Sequence, residues 1–468
     1  MRRTYRILTR IFTACFLLFA AAAFSLSGVA LALAAAVLLL WLPRRVEIRQ
    51  FERWLFLSSF LLQLYVMFTV HTPVISDFAE MLQAAQRLRD GLMPYQVSTY
   101  FNLWPYQTGF VLWEAMWLAM WNNTMILKLV HALMASGLLC LLYRWLVERV
   151  REPAAQTAVS LLAVFPMYFT LCVVLTNQIA GAFFIVLAVW LLTCRDARSL
   201  RFWRYPLAGL SLFCSEFLRP EAIVALLAVL VLALFSLFHE PKQWKRLLCG
   251  GLALCAVYLV SSGGADALFR LTGYSPAGLD NPFPEWKLIC GLNTQSGGMW
   301  SLEEDQKFAA TYDDTYTPTA ETKRLARETI ASELHKTPGE WLGFLHKKLS
   351  NLWYCRGFGW ALSHTQNGGY ARTIVYRMVG EADQTLFFLA LGLAAFGLRG
   401  RKRPDELLPY FIVFALACAF LVIEVQPRYA YLPQIFLFTA AAFGIDRLPG
   451  LHREKGVPNG TVSGNSML

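Results

Sequence analysis

Long apolar runs separated by short polar stretches dominate this chain. Trp54–His71, Met125–Val147, Ala154–Leu175, Ile179–Thr193, Pro206–Leu218, Ala222–Phe238, Leu247–Ser262, Thr385–Leu398, Leu407–Ile423 and Leu432–Ile445 each read as one membrane crossing. Several reach the roughly 17–25 residues that a bilayer requires. Ile11–Leu42 is much longer than the roughly 7–15 residues of a signal-peptide core. It reads as a hairpin of two helices turning near Ser25–Gly28, because Arg2, Arg3, Arg6 and Arg10 precede it and Arg44, Arg45 and Arg49 follow it. Gly109–Trp121 is apolar but short, so it reads as a partial membrane segment. The pattern predicts an all-α integral membrane protein with about 12 crossings.

Composition agrees. Of 468 residues, 57% are hydrophobic and 16% charged, with a mean hydropathy of +0.45, against about 25% charged in soluble domains. The net charge of +11 reads as cytoplasmic ends of membrane helices rather than a nucleic-acid surface. Residues 263–383 hold 12 Lys+Arg and 14 Asp+Glu, whereas the rest hold 30 and 17. The basic excess therefore lies outside that long polar segment, which places the segment on the extracytoplasmic side and both termini in the cytoplasm. The expected organisation is an N-terminal membrane region (1–262) whose first external loop is 72–108. A mainly helical external domain (263–383), a C-terminal membrane region (384–447) and a disordered tail (448–468) follow.

Within the external domain, Ser301–Tyr312 and Thr319–Lys336 have helical spacing. Ser301 with Glu304 forms a capping-box pattern, and Leu325, Thr329, Ile330 and Leu334 form the expected packed stripe. Trp341–Trp353, with its His346-Lys347-Lys348 triplet, suits a helix lying at the membrane surface. The cysteines show no metal spacing. Cys290 and Cys355 alone fall in the polar segment, where a bridge between them is open.

Four polar stretches collect on the external side: Asp77 with the aromatic run Tyr100–Tyr106, Thr176-Asn177-Gln178, Arg219-Pro220-Glu221, and Glu424–Tyr431. Each has an ordinary reading. Asp77 suits the N-cap of a helix over Phe78–Leu88. Arg219 and Glu221 can pair with each other, Arg428 can anchor an interface beside Tyr429 and Tyr431, and Asn177 and Gln178 suit a loop. Taken together they fit group transfer. A boundary carboxylate can accept a hydroxyl proton, arginines can hold a phosphate, and aromatics suit sugar faces and lipid chains.

The chain resembles the GT-C superfamily of membrane glycosyltransferases, in the branch of protein O-mannosyltransferases and the lipid A aminoarabinose transferase. The resemblance rests on Ser76-Asp77-Phe78, Tyr100-Phe101-x-x-Trp104-Pro105, Phe217-Leu218-Arg219-Pro220-Glu221 and Pro427-Arg428-Tyr429-x-Tyr431-x-Pro433. Trp286–Asn293 followed by Gly297-Gly298-x-Trp300 adds to it. It implies a polyprenyl-phosphate sugar donor, inversion, Asp77 as general base and Arg428 at the donor phosphate. Arg219 is a second candidate for donor or structural support. Tyr100, Asn102, Trp104, Tyr106, Asn177, Lys287, Asn293, Tyr429 and Tyr431 are expected to line the site.

The acceptor would be a cell-surface glycan, lipid or protein, and the location a bacterial plasma membrane, with membrane lipids as partners. Phe78 and Asn102 stand where relatives often carry a second acid, with Glu80 one turn on, and Asn177 stands where another acid is common. No cofactor and no metal ligand is assigned; a divalent cation stays open. A polymerase or ligase using a lipid-diphosphate donor, and a non-enzymatic flippase, are the competing expectations.

Overall fold

The computed structural model describes residues 2–22, 29–33, 50–239, 244–353, 374–399 and 404–448. Their regular structure is helical, and among them the one β-pairing is an isolated bridge between Tyr312 and Pro318. The turn expected at Ser25–Gly28, Cys355 and the tail after residue 448 lie outside the described residues.

The helices before the long polar segment include α1 (Arg2–Ala22), α2 (Phe51–Thr69), α4 (Thr108–Met120), α5 (Met125–Val147), α6 (Glu152–Ala163), α7 (Gln178–Thr193), α8 (Arg204–Leu218), α9 (Ala222–His239) and α10 (Trp244–Thr272). They continue after the polar segment as α15 (Ile374–Gly397), α16 (Leu408–Val422) and α17 (Tyr431–Ile445). Between α2 and α4 lies the amphipathic α3 (Asp77–Arg87), and the polar segment holds α11 (Glu285–Leu292), α12 (Leu302–Ala309), α13 (Ala320–Leu334) and α14 (Pro338–Trp353). Four helices are long and apolar enough to cross a membrane, and six if each of two bent pairs counts as one span. The chain is thus an all-helical membrane protein.

Three boundaries differ from the hydropathy pattern. The Ala154–Leu175 run breaks, with a 56° bend between α6 and the helix that restarts at Pro166; Pro166 has no amide hydrogen and clashes with the preceding turn. Helix α10 continues ten residues past Ser262, giving 29 residues and roughly 43 Å of length. Helix α15 likewise starts at Ile374, well before Thr385. Helical structure therefore reaches into both ends of the segment read as external.

Burial separates the middle of the bundle from its rim. Every residue of α17 is buried, as expected for a helix apolar on all faces at the centre of a bundle. Leu248, Leu252, Leu259 and Val260 of α10 are exposed, which makes that face lipid-directed.

A second, smaller core is built from Leu103, Phe283, Trp286, Ile289, Cys290, Phe308 and Ala326. It fastens the aromatic run (through Leu103) to α11, α12 and α13. The stripe of α13 that faces it is centred on Thr322 and Ala326; Leu325 and Ile330 flank it, while Leu334 is exposed. Ser301 precedes α12 but makes no side-chain cap bond. The α13 cap is instead Thr319, whose hydroxyl accepts the Thr322 amide.

Candidate functional site

Helix α3 starts at Asp77, and Ser76, not Asp77, occupies its N-cap position. Ser76 has φ 55° and ψ −144°, a conformation that costs a non-glycine residue about 1–3 kcal/mol. It makes no cap bond to the helix; its hydroxyl donates to Asp77 Oδ1 at 3.1 Å. Asp77 is therefore the first helical residue, with its carboxylate 42% exposed.

Across from it is Arg428, in the short turn Pro427–Ala430 that leads into α17. Its Nη2 lies 3.7 Å from Asp77 Oδ2, an ion contact looser than a hydrogen bond. Its guanidinium lies 4.8 Å from the Phe78 ring centroid. The residue beside Asp77 is thus an apolar platform under the arginine, a favourable cation–π arrangement.

The ring of Tyr429 is shared by two arginines, with Arg428 at 5.7 Å and Arg219 at 4.8 Å from its centroid. Arg219 bonds to Glu221 at 2.5 Å and to Asn177 Oδ1 at 3.1 Å. Asn177 in turn donates to the Leu218 carbonyl at 2.8 Å. Burial alone would pull the Arg219 guanidinium down, but the Glu221 carboxylate outweighs it and raises it above its ordinary value.

Lys287 of α11 reaches Glu424 at 2.5 Å. Glu424 is buried, and its other oxygen accepts from Gln426 at 2.6 Å. Burial raises the Glu424 carboxyl, but Lys287, then Gln426 and Arg428, outweigh this and hold it below its ordinary value. For Lys287, burial acts downward and Glu424 upward, with a net position well above the usual lysine range. The same junction is clamped by backbone bonds from the Glu424 amide to the Lys287 carbonyl and from the Val425 amide to the Gly298 carbonyl, at 2.9 and 2.8 Å. Gly291 permits this approach, since a Cβ there would lie 2.1 Å from the Val422 carbonyl oxygen.

These groups border a cavity of about 830 Å³. Tyr106, Asn177, Arg219, Lys287, Glu424 and Tyr429 line it on one side, and Ile223 and Leu259, both exposed, form part of its apolar wall. That wall belongs to α9 and α10, so the cavity meets the lipid-directed face. Its lining carries two cationic side chains, Arg219 and Lys287, against five carboxylates: Glu216, Glu221, Asp266, Asp280 and Glu424.

Asp77 and Arg428 are outside this lining, with Arg428 linked to it through the Tyr429 ring. Tyr100 touches the Asp77 side: burial first, then the Asp77 charge, push its hydroxyl well above the usual tyrosine value. Trp104 packs edge-on against Tyr106 and lies 5.7 Å from the Lys287 ammonium.

Three expected lining residues do other work. Asn102 donates to the Thr315 carbonyl at 2.7 Å, tying the aromatic run to the long polar segment. Asn293 Oδ1 accepts the Ser296 amide and shapes a turn. Tyr431 is buried in the bundle, stacked on Tyr168 at 5.7 Å.

The pairing of Lys287 with Glu424 was not visible in the spacing, because 137 residues separate them. An acid near Asp77 also escaped the sequence reading. Asp305 of α12 is raised by burial and, after a bond from Trp300 that lowers it, by the Asp77 charge. It sits in the Glu303-Glu304-Asp305 run, which reads as an ordinary acidic first turn. Among the described residues, no group of three or more His, Cys, Asp or Glu side chains is placed to hold a metal ion. No family model and no curated protein matches the chain.

Proposed function

We propose that this chain is a GT-C-type membrane glycosyltransferase with about twelve crossings and an extracytoplasmic domain over residues 263–383. It would act at the outer face of a bacterial plasma membrane, with both termini in the cytoplasm. Its donor is a polyprenyl-phosphate sugar and its acceptor a hydroxyl-bearing cell-surface glycan, lipid or protein. The observation that carries this reading is the meeting of an accessible carboxylate, Asp77, with Arg428 at 3.7 Å, beside a cavity whose apolar wall faces lipid.

In the reaction, the acceptor oxygen attacks the anomeric carbon and its proton passes to Asp77. The anomeric carbon–oxygen bond breaks with inversion, and its electron pair leaves on the lipid phosphate. Arg428 receives that charge, with Arg219, which also contacts the Tyr429 ring, as the second cation. Donor phosphate draws Arg428 away from its loose contact with Asp77, so donor binding frees the base.

A lipid-translocating function draws support from the two bent helix pairs, since broken helices accompany alternating access. One experiment separates the readings. Purified protein in liposomes is given polyprenyl-monophosphate sugar, lipid-diphosphate oligosaccharide, or fluorescent lipid without acceptor. Sugar transfer from the monophosphate donor alone is expected. Transfer only from the diphosphate, or lipid movement without transfer, overturns the proposal.

A further inference from the structure

Lys348 is a lysine with no solvent exposure on the external helix α14. Its ammonium donates to the Gly291 carbonyl and, at 3.0 Å, to the Leu421 carbonyl. Gly291 lies in the last turn of α11 and Leu421 in the last turn of α16. Two helix C-termini thus converge on one amine, where both dipoles favour a donor. Lys336, just before α14, holds the adjacent Leu292 carbonyl at 3.1 Å.

The joined segments carry the charged floor of the site: Lys287 is on α11, while Glu424 and Arg428 follow α16. A buried amine is costly unless it is hydrogen-bonded, and here its bonds all go to one junction between the polar segment and the bundle.

We propose that Lys348 is a positioning residue, which clasps the ends of α11 and α16 together and so sets Lys287, Glu424 and Arg428 in register. This rests on the transferase reading only for what the register serves; the clasp itself is a property of the fold.

The clasp has a pH sign. Burial is the main influence on Lys348, and it lowers the amine from 10.5 to about 7. The groups facing it are Cys290 on α11 and Glu424 after α16, which raise it, and Lys336, which lowers it; α16 itself carries no charged side chain. With the closed-state value below that of the free amine, protonation favours the open junction. Opening grows about tenfold per pH unit as pH falls from about 10 toward 7, then levels off. The neutral amine still has hydrogens for both carbonyls.

The test is hydrogen–deuterium exchange of the full chain in nanodiscs, corrected for intrinsic exchange rates, over peptides spanning 285–298 and 419–431. Wild type is expected to lose protection as pH falls from 9 to 7. Lys348→Met is expected to exchange at least tenfold faster in both segments at pH 9, with no pH step. Wild-type protection that does not change between pH 9 and 7 overturns the proposal, even where the variant does not fold. So does a Lys348→Met variant within twofold of wild type at pH 9. Exchange needs no donor, so a failure of sugar transfer would strike the transferase reading and leave this result standing.

Discussion

Removing one partner of the Lys287–Glu424 pair has an outcome that the geometry makes asymmetric. At 2.5 Å, and an effective dielectric of about 20, the gross attraction is about 7 kcal/mol. Desolvation offsets much of it, and stranding one member of a buried pair costs about 3–5 kcal/mol. The two members are not equally buried: the Glu424 side chain is 4% exposed, the Lys287 side chain 33%.

Lys287→Met therefore leaves a carboxylate in a dry site, supported by Gln426 and Arg428 alone among the groups that lower it. Glu424→Gln leaves an ammonium that can turn to solvent, and its cost falls below that range. The assay is thermal unfolding of purified protein at pH 7. Lys287→Met is expected to lower the midpoint more than Glu424→Gln, and the double variant to recover part of the Lys287→Met loss. The pH dependence follows from the directions of the two shifts. Glu424 is depressed below 4.5, so its contribution is present above that value and lost as pH falls through its folded position. Lys287 is raised above 10.5, so its contribution persists until pH rises past its folded position. The wild-type advantage over Lys287→Met is full in the alkaline range below about pH 10 and shrinks as pH falls, because burial raises the stranded Glu424 carboxyl and lets it neutralise by protonation. Additive losses in the double variant, or a larger loss in Glu424→Gln, would refute the pairing.

Gly291→Ala places a methyl 2.1 Å from the Val422 carbonyl oxygen and 2.4 Å from the Ile423 carbonyl carbon. Backbone must separate there, at about 1–3 kcal/mol, so the unfolding midpoint falls; an unchanged midpoint contradicts the close approach. Arg428→Ala is expected to slow transfer about 10²–10³-fold, as loss of a charge-stabilising donor does. Arg428→Lys recovers only part of that rate, because an ammonium does not stack on Phe78 as a guanidinium does. Full recovery by lysine would reduce Arg428 to a point charge.

Hydropathy located the long apolar helices, because lipid-facing and bundle-facing surfaces are both apolar there. Met125–Val147 coincides with its expected range, and Leu407–Ile423 differs from α16 by one residue at each end. The Pro166 break was written in the sequence as a proline inside an apolar run. The extension of α10 was not visible to a hydropathy reading, because Gly263-Gly264-Ala265-Asp266 dilutes the run without ending the helix.

At the site, the four polar stretches identified by sidedness do meet, yet their pairings depend on tertiary geometry. Lys348 shows the difference most plainly. Inside His346-Lys347-Lys348 it reads as solvated, but it lies four residues after Phe344 and four before Leu352, both buried. The helical period placed it inward, and two unfilled carbonyls gave it a reason to stay there.

The most direct measurement of the central claim is single-turnover sugar transfer by Asp77→Asn, with monophosphate donor and acceptor saturating and membrane accumulation equal to wild type. The account predicts a rate about 10²–10⁴-fold lower, the range for loss of a general base, with donor binding retained through Arg428. An Asn variant that transfers at the wild-type rate would contradict it.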